Sequence, residues 1–304
     1  MTTLTDPPRT RTPRPPRSRG GAGAGREPGT RRVLSVGQSV VLLAIALTAL
    51  VPLAAIFVAT FQDGADVMRG GVSLGVDPST LSLDNWVMLF TDSGPYFRWF
   101  ANSLGLTTVQ VAGTLLVSSF VAYGFAMYEF RGRTPLFIAV LAIMAVPFEM
   151  VMLPLYVQVN EMGLADTYSV IVIPFLAAAV TIFFFRQYFL GVPKEILEAG
   201  RVDGVTEFGI FFRLVLPIAR PAIAAMAILN GMMCWNNLLW PLLVLRSAEK
   251  FTLPIGLNTL ITPYANNYGL LLVGSFFSLV PILILFLTFQ RFFVEGMTAG
   301  AVKG

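Results

Sequence analysis

Six stretches of this 304-residue sequence, at about 36–61, 101–127, 135–158, 167–189, 221–245 and 268–290, each run for more than 20 residues with almost no charge. A helix needs about 20 mostly apolar residues to cross a hydrocarbon core roughly 30 Å thick. The pattern therefore predicts an all-α integral membrane protein with six transmembrane helices. Hydrophobic residues make up 55% of the chain and charged ones 12%, against about 25% charged in an ordinary soluble domain, which excludes a soluble enzyme. The first stretch is longer than a signal-peptide core and is followed by further spans, so it is expected to remain as a membrane helix.

Six spans put both termini on one side, and the basic residues say which. One side collects the eight arginines between Arg9 and Arg32, Arg131, Arg133, Arg186, Lys194, Arg201, Arg213, Arg220, Arg291 and Lys303, 17 in all, and the other only Arg69, Arg98, Arg246 and Lys250. Cytoplasmic loops carry the positive excess, so both termini are expected to be cytoplasmic. Residues 1–34, rich in Arg, Pro and Gly, cannot bury enough apolar surface to fold and are expected to be a disordered cytoplasmic tail. That tail carries much of the net charge of +4. The basicity thus belongs to a leader that helps fix membrane orientation and not to a nucleic-acid-binding fold. Residues 35–304 form the membrane domain.

The chain lacks the means for most catalysis. With 0 His and 1 Cys it has no imidazole base, no histidine metal site and no thiolate zinc cluster. No GxxxxGK[ST] sequence occurs, and the GAGAG run at 21–25 follows no strand and lacks a lysine, so no P-loop is present. No catalytic residue, metal or cofactor is expected. Within the spans the clear ionisable candidate is Glu149, whereas ion-coupled carriers usually need several such groups. Energy for transport would have to arrive from another subunit through a cytoplasmic contact.

The loop at about 191–220 offers one. Pro193 stands at the expected first position of a helix over 193–203, and Gly204 after Asp203 at its C-terminal stop. That helix is too short to span a bilayer. A second apolar stretch, 208–215, is expected at the membrane interface, ending where Pro217 breaks it. Glu198, Ala199 and Gly200, then Asp203 and Gly204, then Leu214, Leu216, Pro217 and Pro221, resemble the EAA loop of bacterial ABC importer permeases in spacing throughout. Gly200 stands where that pattern has Ala, and Leu214 where it has Ile. Asn85, Asn102 with Ser103, AYGFAMYEFRGR at 122–133, PLYVQVNEMGLADTYS at 154–169, WNNLLWPL at 235–242, FTLPIGL at 251–257 and TAGAVKG at 298–304 are similar to the carbohydrate-importing, maltose-type branch.

The resemblance implies a bacterial inner-membrane permease subunit of a sugar or oligosaccharide importer. It further implies a second homologous permease, two cytoplasmic ATPase subunits and an extracytoplasmic sugar-binding protein. Glu198, Ala199, Gly200, Arg201, Asp203, Gly204 and Pro217 would then couple to the ATPase. In this reading the small Ala199 and Gly200 let the partner approach the backbone, with Glu198 and Arg201 flanking them. The bland alternative is a solvated helix in which Glu198 pairs with Lys194 or Arg201.

Glu149 lies fifteen residues into the third span and Trp235 fourteen into the fifth, about 22 and 21 Å deep along straight helices. With Asn236 and Asn237 they make a candidate sugar path beside an aromatic wall. Trp240 reads as an interfacial belt residue. Two rivals stand beside this reading. One is an importer permease for another solute such as glycerol phosphate. The other is a membrane enzyme on lipid-linked substrates, which would need clustered carboxylates at the membrane edge to hold a divalent ion, Asp203 and Glu207 coming closest.

Overall fold

The computed structural model describes residues 28–72, 78–262 and 266–301. Its regular elements among these residues are all helical, and an isolated bridge between Ile261 and Asn266 is the one extended pairing. The chain divides into two compact units, Met1–Leu53 and Ala54–Gly304. α1 (Pro28–Ala59) runs from the first into the second, and begins six residues ahead of the tail boundary expected at 34, as suits a proline in a first helical turn. The rest of the expected tail lies outside the described residues. From Gly37 onward the first unit is apolar and exposed.

The second unit continues with α2 (Gly64–Gly70), α3 (Asp84–Thr91), the 32-residue α4 (Tyr96–Met127), α5 (Arg133–Met144), α6 (Phe148–Glu161) and α7 (Ser169–Val172). Then come α8 (Ala179–Phe189), α9 (Lys194–Val202), α10 (Glu207–Ile210), a π-helical turn (Phe211–Val215), α11 (Leu216–Ile218) and α12 (Arg220–Trp235). α13 (Leu239–Val244), α14 (Leu253–Thr259), α15 (Tyr268–Phe277) and α16 (Leu279–Ala301) complete it.

Gly37–Ala59, Tyr96–Met127 and Tyr268–Gln290 are long and apolar enough to cross a membrane unaided. Three more segments reach that length only as bent pairs. α5 and α6 meet at 99°, because Pro147 has no N–H to give and steers the preceding residues away from helix. Residues Ser169–Phe175 and α8 meet at 40°, and Glu207–Ile218 and α12 at 78°. The straight third and fifth spans expected from the sequence are thus interrupted helices, and α12 ends at Trp235 instead of running to 245.

α4 is the axis of this unit, packed on α8, α12 and α14. Its hydroxyls fill gaps the interruptions create. Thr114 donates to the Phe175 carbonyl at 2.9 Å, while Ser118 donates to Leu176 O and accepts from Ala178 N–H. Such bonds hold membrane helices together where apolar packing has no hydrophobic driving force.

The N-terminal end of α4 is tied to residues 245–253. Trp99 Nε1 donates to Ala248 O, Asn102 Nδ2 to Glu249 O and Phe251 O, and Ser103 Oγ accepts from Leu253 N–H at 2.7 Å. Asp166, at φ 59°, accepts from the backbone N–H groups of Arg246 and Ser247, from the Ser247 hydroxyl, and from Lys250 at 3.0 Å. Arg246 in turn donates to Asn160 Oδ1 at 2.7 Å. The loop after α6 is thereby knotted to the loop after α13.

Candidate functional site

Near the C-terminal end of α4, α9 packs against α10 and the π-helical turn. Pro193 is its N-cap, with an extended ψ of 133°, one position earlier than expected. At the other end Gly204, at φ 74°, donates to Arg201 O, and Val205 donates to Gly200 O at 2.9 Å. These are the paired bonds of a Schellman stop, which needs the left-handed backbone that glycine adopts freely.

α9 buries Leu197 and Gly200 and exposes Glu195, Glu198, Ala199 and Val202. Gly200 corrects the sequence reading. A methyl group there would stand 2.9 Å from Leu214 Cδ1 and 3.1 Å from Ile210 Cγ1. The missing side chain serves packing inside the loop, while Ala199 and Glu198 face outward. Leu197, Ile210, Phe211 and Val215 share one core with Tyr123 of α4, Phe185 and Phe189 of α8 and Ala222 of α12. Side chains fully buried like these contribute about 1.5–3 kcal/mol each, so α9 is packed onto the ends of three long helices.

Arg201 pairs not with Glu198 but with Glu207, its Nε donating at 2.7 Å and its Nη2 at 3.3 Å. Tyr128, at the C-cap of α4, donates its hydroxyl to the same carboxylate. The Arg201 hydrogen bonds first, then that of Tyr128, hold the Glu207 carboxyl below the usual carboxylate range. Both partners of the ion pair are nearly half exposed, so it contributes less than about 1 kcal/mol. It serves as an orienting strut between α9, α10 and α4. A divalent site on Asp203 and Glu207 finds Glu207 already occupied, and no cluster of three metal-ligating side chains occurs among the described residues.

Pro217 does not end the second stretch. It sits in the first turn of α11, exposed, and the chain turns at Ala219. The π-helical turn at Phe211–Val215 was not expected from the sequence. Outside, Val202 is 87% exposed, and the exposed rings of Phe208 and Phe212 lean on Phe120 and Phe211 respectively. An open groove of about 680 Å³ runs between Gly204 and the Phe208, Phe212 and Arg213 side chains. The outer surface here thus combines small polar groups with two exposed rings.

The residues expected along a solute path divide. Trp235 is 4% exposed, edge-on to Phe100, with its indole N–H donated to Ser278 O at 3.2 Å. It is a core residue. Asn236 is exposed and caps α12 through Met232 O; Asn237 follows in the break, half-buried. Glu149 is exposed in the first turn of α6, directly beyond the 99° bend, so a depth counted along a straight helix does not apply to it. Trp240, expected at the membrane interface, is fully buried and donates to Val170 O.

Comparison with known proteins agrees with this arrangement. The family described as binding-protein-dependent transport system inner membrane component matches residues 114–298. The arabinooligosaccharides transport system permease protein AraQ of Halalkalibacterium halodurans is 51% identical over 260 residues, 86% of this chain and 93% of that one. Its namesake in Bacillus subtilis is 44% identical, covering 90% and 97%. The lactose transport system permease protein LacG of Rhizobium radiobacter is 35% identical, covering 90% and 98%. A chain from a bacterial ABC transporter involved in import of the acidic polysaccharide alginate superposes with a TM-score of 0.73 at 23% identity, over 87% of this chain and 98% of that one, a likeness of fold.

Proposed function

This chain belongs to the binding-protein-dependent transport system inner membrane component family, a permease subunit of an importer, and from that premise we propose that its solute is an oligosaccharide, arabinose-containing ones first. The carrying observation is the 51% identity to an arabinooligosaccharide permease over nearly the whole of both chains. Six spans with both termini cytoplasmic, a second permease, two ATPase subunits and an extracytoplasmic binding protein complete the reading. The chain itself does no chemistry.

In this mechanism α9 sits in a cleft of an ATPase subunit, with Glu198, Ala199 and Val202 outward and Asp203 and Gly204 closing the turn. When the ATPases close on ATP, α9 moves as a body with the core it shares with α4, α8 and α12, and the spans exchange inward- and outward-facing packings. Arg201 keeps α9 and α10 in register through Glu207. Pro217 holds the chain where it enters α12. Solute passes by the helix breaks, where Glu149, Asn236 and Asn237 offer hydrogen bonds to hydroxyl groups, as interrupted helices do in other carriers. Trp235 supports that break from within the core.

The test is uptake into proteoliposomes holding the complete complex and its binding protein, comparing arabinooligosaccharides, lactose and glycerol 3-phosphate. ATP-dependent uptake of arabinooligosaccharides above the others is expected. Uptake of glycerol 3-phosphate alone would overturn the solute assignment.

A further inference from the structure

Arg186 lies in the last turn of α8, in a helix otherwise almost wholly apolar. Its guanidinium carbon stands 3.9 Å from the ring centroid of Phe137 on α5, and its Nε–H is buried without an acceptor. Among the described residues no hydrogen bond or ion pair engages this guanidinium. One helical turn before Phe137 on α5 stands another cation, Arg133. Arg133 precedes Phe137 by four residues on α5, hence on the same face. It donates one N–H to Tyr128 O at 3.1 Å and has no carboxylate partner. Glu129, the nearest acid in sequence, pairs with neither arginine.

Two like charges held together and partly desolvated are unfavourable unless an opposite charge joins them. The same place supplies more than charge. Arg133 opens α5 and Arg186 nearly closes α8, so both stand at one end of apolar segments, at the level of a headgroup. Beyond them Leu136, Ile138, Leu141 and Ile143 are exposed along α5. Planar guanidinium forks match phosphate oxygens, and basic pockets between membrane helices take anionic headgroups.

We propose that Arg133 and Arg186 bind the phosphate of an anionic phospholipid, whose acyl chains lie along the exposed face of α5. The proposal rests on membrane embedding and not on the solute or on sidedness. The shared chemistry, a phosphate oxygen between two guanidinium groups, also suits free phosphate, so the test separates the two.

The complete transporter complex is purified in mild detergent with equal phosphatidylglycerol and phosphatidylcholine, and retained lipid is counted by native mass spectrometry. Retention of phosphatidylglycerol over phosphatidylcholine is expected, unaffected by millimolar inorganic phosphate. It should fall about thirtyfold in the Arg133→Gln, Arg186→Gln double variant, each basic side chain being worth roughly a factor of five near a membrane surface. Arg131→Gln, an exposed cation beside the pair, should cost no more than the roughly fivefold of a single basic side chain near the surface. If the double variant does not assemble, Arg186→Lys tests the same site by weakening retention without removing charge. Equal retention of both lipids by the wild-type complex, displacement by inorganic phosphate, or unchanged retention in the variants would each overturn the proposal.

Discussion

Leu214 Cδ1 occupies the space where a Gly200 side chain would stand, 2.9 Å from the position of its first carbon. The contact joins α9 to the π-helical turn that leads into α12. Leu214 is flexible at its tip, so Gly200→Ala should be accommodated by a rotamer shift, with transport nearly unchanged. Gly200→Leu, which has no room, should destabilise the loop by about 1–3 kcal/mol and uncouple ATP hydrolysis from uptake. Equal activity of both variants in proteoliposomes would show that this face is not packed.

Glu198 and Gly204 should act on coupling in different ways. Glu198→Lys alters only the outer face of α9 and should leave insertion intact, unlike a charge placed in a span, which costs roughly 2.5–3.5 kcal/mol. Gly204→Val places a β-branched residue at φ 74° and strains the turn by about 1–2 kcal/mol. Both variants should be made and inserted yet retain the ATPase poorly or hydrolyse ATP without moving solute. Normal retention and coupled uptake in both would mean that nothing docks on this loop.

The Asp166 knot should be acid-sensitive. The Ser247 hydroxyl first, then the Arg246 and Ser247 N–H groups and Lys250, hold its carboxyl well below the usual range. A carboxyl with a depressed folded pKa stabilises fully above its unfolded value of about 3.9 and loses that contribution as pH falls toward the folded value. The loop over 244–250 should therefore loosen below about pH 4. At neutral pH Asp166→Asn, which tolerates the positive φ, should speed tryptic cleavage at Arg246 and Lys250. Unchanged cleavage would show the knot to be incidental.

Sidedness is tested by single cysteines in a Cys234→Ser background. Val202→Cys and Leu83→Cys fall at exposed sites on opposite sides of the expected topology. In intact cells an impermeant thiol reagent should label Leu83→Cys and spare Val202→Cys. The reverse pattern would invert the orientation.

The three unbroken spans were legible because lipid imposes a length and a composition on any segment that crosses it. The local form of the 191–220 loop was legible because proline and glycine act locally, and Gly204 takes the left-handed conformation that its place after Asp203 implied. What escaped notice depends on distant partners. Whether Gly200 faces in or out is decided by Leu214 and Ile210, and nothing near Asp166 announces an attachment to residues eighty positions away. Trp235 and Trp240 were placed by residue type, as wall and as belt, while their N–H groups found carbonyls inside the core. Asn102 and Ser103, noticed only as marks of likeness, hold the 245–253 segment to α4. Pro147 was visible, yet proline kinks and breaks alike, and the 99° turn depends on what packs on either side.

That turn has a consequence for what covers this face of the protein. The N–H groups opening α6 at Phe148 and Glu149 have no partners within their own helix, while of the carbonyls closing α5 those of Ala142 and Ile143 are taken by Ala145 and Val146 just beyond its end. Hydrocarbon offers those N–H groups none, and each group left bare in it costs several kcal/mol. Wherever that turn lies at membrane depth, the surface at 144–149 is therefore expected to meet water or another polypeptide and not acyl chains.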